Sequence, residues 1–89
     1  MDPDRSLADE FAAKRSAAEA HLWREMEACG LHRRDGWKID EFLRDSPGGC
    51  ELVLRPIHLR LLPPPDLECI VGIVERTGQI EAHCQPELP

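Results

Sequence analysis

Between Leu67 and Cys84 an apolar run and an alternating one flank a short polar interruption, in the manner of paired strands. Cys69, Val71 and Ile73 fall on one parity, Ile70 and Val74 on the other. β-Branched residues dominate the run, and they suit a pleated backbone. Arg76-Thr77-Gly78-Gln79 interrupts it, and Gly78 can take the positive φ of a tight turn. Ile80, Ala82 and Cys84 then resume the alternation. The pattern predicts a β-hairpin with strands over 67–75 and 80–84. Its first strand is apolar on both faces, as in a strand covered on two sides.

Upstream the period changes from two to that of a helix. Leu7, Phe11, Ala18, Leu22, Met26 and Cys29 recur at helical spacing. Ala8, Ala12 and Trp23 widen the stripe, whereas Arg15 and Glu19 interrupt its widened edge. Asp2 or Asp4 can cap the start, Pro3 suits the first turn, and Gly30 stands where a C-terminal cap belongs. A helix over about 4–29, on the order of 40 Å long, follows.

The middle of the chain is less plain. Trp37, Ile39 and Leu43 share one face of a strand, with Glu41 awkward among them; a helical turn would instead group Ile39, Phe42 and Leu43. The turn sequence Ser46-Pro47-Gly48-Gly49 favours the strand, paired as a hairpin with the extended run Cys50–Leu62. Pro56 inside that run demands an edge or a bend. Residues before it are expected to pair backwards and those after it forwards. Pro63-Pro64-Pro65-Asp66 is a stiff connector, and 85–89 a short tail.

The reading is a single α+β domain over 1–89, in two layers. One long N-terminal helix packs on a three- or four-stranded antiparallel meander over about 37–84. Eighty-nine residues leave no room for a second domain.

A net charge of −6 opposes nucleic-acid binding, which needs a cationic surface. No apolar run approaches membrane-spanning length, and the opening MDPDRSLADE lacks the apolar core of a signal peptide. The starting Met and the capped helix imply a genuine N-terminus. A cytoplasmic protein is expected, with its four cysteines reduced.

Zinc-type ligands are present in Cys50, His58, Cys69, His83 and Cys84. A connector centred near Pro64 sets His58 roughly opposite Cys69, and a turn at Thr77-Gly78 places Cys84 diagonal to Cys69. No Cys-x-x-Cys pair accompanies them, and Cys69 and Cys84 continue apolar alternations as small hydrophobes do. His83 and Cys84 point to opposite faces of a strand and cannot pair as base and nucleophile. Neither a metal, a cofactor nor an enzymatic site is therefore expected.

The remaining feature is an excess of apolar surface. Leu52, Leu54, Val71, Ile73, Ile80 and Ala82 face the helix. Phe42, Val53, Ile57, Leu59, Leu61, Ile70 and Val74 fall on the other side, where a single helix cannot reach. Such a surface marks an interaction site. The expected function is a small, non-enzymatic protein–protein interaction module, a homodimer or a subunit docked on a larger protein, with Phe42, Val53, Ile57, Leu59, Ile70 and Val74 at the interface. The alternatives are a zinc- or thiol-dependent accessory domain using Cys69, Cys84 and His58, and a small-ligand binder in the helix–sheet groove.

Overall fold

The computed structural model describes residues 3–47, 49–74 and 77–86, with side chains from Leu7 onward except those of Ser46, Val74, Gln85 and Pro86. Helix α1 spans Pro3–Ala28, so Asp4 lies inside it and Asp2 outside the described residues. It ends because Gly30 adopts φ 81°. That turn lets Leu31 N–H reach the Met26 carbonyl (2.8 Å) and Gly30 N–H the Glu27 carbonyl (3.0 Å). This double closure satisfies carbonyls a helix end leaves orphaned, and Leu31 packs against the core cluster to which Met26 belongs.

A 3₁₀ turn over Arg33–Asp35 leads into four strands: β1 (Trp37–Ser46), β2 (Gly49–His58), β3 (Leu67–Val74) and β4 (Gln79–Pro86). They form one antiparallel sheet in the order β1-β2-β3-β4. The expected α+β meander is therefore what the chain forms, and the ambiguous segment from Trp37 is a strand. β4 runs through Pro86, so the tail is shorter than the alternation alone indicates; 87–89 lie outside the described residues.

α1 packs chiefly over β3 and β4 and only lightly over β2. Ala18, Leu22 and Met26, one helical turn apart, meet Leu54, Cys69, Val71 and Ile80 in the core. Glu41, awkward on its strand, and Arg15, awkward on the helix stripe, prove to be partners. Arg15 Nε (3.1 Å) and Nη2 both donate to Glu41 Oε2. The hydrogen bond and then the charge of Glu41 raise the Arg15 pKa. A raised basic pKa contributes stability at all pH values below the unfolded one and loses it only in strong alkali. The pair thus adds no pH dependence near neutrality, and its half-exposed site keeps its contribution small.

Pro56 is buried and faces Ile39 of β1. Residues on both sides of it pair backwards with β1, and forward pairing with β3 uses only Glu51–Leu54. The expected division of β2 at Pro56 is thus corrected. The β3 ladder stops two residues short of the proline, and no β3 carbonyl waits for its missing N–H.

Candidate interaction surface

One end of the molecule is built around His58. The 3₁₀ turn closes at Gly36, whose φ of 100° excludes a side chain, and the imidazole lies against that bare Cα. His58 Nε2 donates to the Asp35 carbonyl (2.7 Å), and its Nδ1 accepts from Arg60 N–H (3.0 Å). One nitrogen donates and the other accepts, so the hydrogen-bond network assigns a neutral ring. Trp37 meets the imidazole edge to face at 4.8 Å. Leu59 N–H donates to the Gly36 carbonyl (3.1 Å) and Leu61 N–H to the His58 carbonyl (3.0 Å). The buried histidine thereby joins the 3₁₀ turn, β1 and the start of the β2–β3 connection.

Beyond it the connection turns outward. Ile57, Leu59, Leu61 and Leu62 are 36%, 64%, 93% and 49% exposed, and Pro63 and Pro64 are exposed as well. Leu61 adopts φ 57°, unusual for a residue other than glycine. Leu59 and Leu61 were expected on the outer sheet face, but β2 ends at His58, so they belong to the connection. The exposed residues Arg33, Arg34, Lys38 and Arg60 stand at this same end of an otherwise acidic chain.

The sheet face away from α1 differs from what apolar parity alone implies. Phe42, Val53 and Ile70 form one row across β1, β2 and β3, and His83 continues it on β4. Val53 and Ile70 are already buried, although among the described residues no second layer of backbone covers them. Long polar side chains do so instead. The Arg55 guanidinium lies over the Phe42 ring at 5.2 Å. Arg44 reaches Glu51 (3.4 Å) and crosses β2 toward Glu68 on β3 (3.6 Å). Glu68 is only 4% exposed, and its Oε2 has that ion pair but no hydrogen bond. The aliphatic stems of these residues act as the cover. The side chain of Val74 lies outside the described residues.

The proposed zinc set does not assemble. Leu54, not His58, stands opposite Cys69, because the β2–β3 connection is centred near Leu61 rather than Pro64. His58 is four positions along β2, on the order of 13 Å away. The second turn is likewise centred one residue earlier than expected, which pairs Cys84 directly with Cys69. Their Cα atoms are 3.9 Å apart and the sulfurs form a disulfide, so neither thiolate is available to a metal. The expectation of four reduced cysteines is corrected for this pair; Cys29 and Cys50 are free and exposed. Among the described residues no group of three or more His, Cys, Asp or Glu is arranged to hold a metal ion. In non-reducing buffer a maleimide should therefore label two cysteines of the folded protein, and four after reduction in denaturant. Four labels without reduction, counted by mass, would contradict the disulfide.

Among the described residues, two clefts lie along the helix–sheet groove. One, of about 230 Å³, is lined by Ala17, Ala18, His21, Ala82, His83 and Cys84. The other, of about 280 Å³, lies among Glu19, Trp23, Arg33, Trp37, Lys38 and Ile39, where Arg33 stacks on Trp23 at 4.2 Å. Both fall below the ~300–1,000 Å³ of usual small-molecule sites. No known protein family, curated protein or solved structure matches the chain.

Proposed function

We propose that this protein is a non-enzymatic protein–protein interaction module whose contact surface is the end of β2 and the connection that follows it. One observation carries the reading: Ile57, Leu59, Leu61 and Leu62 expose large apolar side chains within six residues of sequence. Apolar groups gathered in this way mark contact surfaces. Ile57 and Leu59 belong to the interface expected from the sequence; Leu61 and Leu62 extend it. Docking on another protein is the favoured mode, because the row Phe42, Val53 and Ile70 is already closed by Arg44 and Arg55. Nucleic acid and membrane are not the partners this reading names. The net charge of −6 supports the first exclusion. Among the described residues no helix is long and apolar enough to cross a membrane. A cytoplasmic site is part of the proposal; the exposed thiols of Cys29 and Cys50 support it and the disulfide weighs against it.

The test has two arms. Replacing Leu59, Leu61 and Leu62 together by Asp should leave the melting temperature within a few degrees of the parent, since the fold does not use these side chains. A photo-crosslinking residue at position 61 should capture a discrete protein in the producing cell, whereas the same group at Lys14, exposed on α1, should not. Collapse of the fold in the triple variant, or equal labelling at both positions, would remove the support for this surface.

Self-association is the second reading, favoured by the alignment of Phe42, Val53 and Ile70 on the face α1 leaves bare. It requires Arg44 and Arg55 to swing aside. Light scattering should then give a dimer mass at high concentration that Ile70→Glu abolishes; a constant monomer mass rejects it.

A further inference from the structure

We infer that the segment Leu61–Pro65 is a preformed proline-type ligand for a partner protein with an aromatic-lined, acid-rimmed groove; this rests on the interaction reading above and adds the chemistry of the partner.

Three consecutive prolines fix φ near −65° and remove three N–H donors. A residue preceding proline is driven to the extended region, which applies to Leu62, Pro63 and Pro64. These restraints favour, over Leu62–Pro64, the left-handed, three-residue-per-turn conformation that aromatic grooves accept. Little conformational freedom is left to lose on docking. Both ends of the segment are fixed. His58 and Gly36 hold Leu59, Arg60 and Leu61, and Leu67 N–H closes back on the Pro65 carbonyl (2.8 Å) before β3 begins. A mere connector would need none of this apolar surface.

Leu61 is the second, independent observation. Its φ of 57° lies in the left-handed region that glycine occupies without penalty and leucine does not. A chain selected only to turn there would place glycine or asparagine. Instead the position carries a leucine whose side chain is 93% exposed and so contributes almost nothing to the core. Backbone strain of this kind gathers at ligand-binding positions.

Charge supplies the rim. Arg60 is exposed immediately before Leu61, and Arg33 and Arg34 stand in the 3₁₀ turn that His58 ties to the same connection. Exposed Asp35 and Asp66 stand among them and offset part of this charge; the remaining positive excess, on a chain of net charge −6, favours an acidic border on the partner.

The probe is a panel of purified SH3, WW and EVH1 domains, which read proline segments through aromatic ridges. Each is titrated into the intact, ¹⁵N-labelled protein. At least one acid-rimmed SH3 domain should shift the amides of Leu59, Arg60, Leu61, Leu62 and Leu67, and added salt should weaken it. Pro64→Ala should reduce the affinity about tenfold. Leu61→Gly should reduce it comparably while leaving the melting temperature unchanged or raised, a combination that a structural leucine would not give. No shift from any domain at millimolar concentration overturns the inference. So do shifts that map to β1 or β4, or concentration-dependent shifts of this segment with no domain added, which would make a second copy the partner. A position-specific crosslink at residue 61 with a silent panel would leave the interaction surface standing and reject the groove chemistry alone.

Discussion

Replacing Leu22 by Ala lowers the unfolding free energy by about 3–5 kcal/mol, the range for removing a fully enclosed leucine that its surroundings cannot collapse around. Leu22 is fully buried and sits midway along the stripe, between Ala18 and Met26, against the sheet. Among the described residues α1 is the one α-helix that packs on the sheet, so the truncation opens the centre of that contact. Domains of this size have roughly 5–15 kcal/mol in total, and the variant forfeits a large fraction of it. Urea unfolding followed by the fluorescence of Trp23 and Trp37 measures the effect. Leu7→Ala, at an exposed position of the same helix, should cost less than about 1 kcal/mol. Equal losses at the two positions would mean that α1 does not pack as described.

His58→Ala is expected to cost about 2–4 kcal/mol, through two lost hydrogen bonds and the space left under Trp37. Its effect is also local. Without Nδ1, Arg60 N–H has lost its acceptor, and the left-handed turn at Leu61 keeps only the backbone bonds to Gly36 and His58. Amide exchange at Leu59, Arg60 and Leu61 should accelerate well beyond the change in global stability. His83→Ala, on an exposed side chain of β4, should alter neither quantity appreciably. Unchanged exchange at Leu59–Leu61 in the His58 variant would show that the imidazole does not hold the connection.

Much of the fold can be read from spacing. Leu22 and Met26 announce a helix by their period, and Ile80, Ala82 and Cys84 a strand by theirs, because regular backbone imposes regular spacing. Register is a different matter. It depends on where a turn is centred: a shift of about two residues in the β2–β3 connection separates His58 from Cys69, and a shift of one in the second turn brings Cys84 opposite Cys69. The partnership of Arg15 with Glu41 did leave a trace: each is a charge that interrupts an otherwise apolar surface, Arg15 together with Glu19 on the helix and Glu41 on its strand. Two such misfits on elements expected to pack together are a signal to pair them. Nothing comparable marks the covering of Val53 and Ile70. Parity counts residues on a face, but not the reach of an arginine from the neighbouring strand.

The order of elements along the chain bears on how the protein is made. α1 comes first, yet it packs chiefly on β3 and β4, the last strands. During synthesis the helix therefore leaves the ribosome long before its partners, with Leu22 and Met26 facing water. Each hairpin in between needs only its immediate neighbour and can close early, because short loops cost little entropy to form. The helix must wait for the final strand, and the nascent chain carries its most adhesive stripe uncovered until that strand arrives.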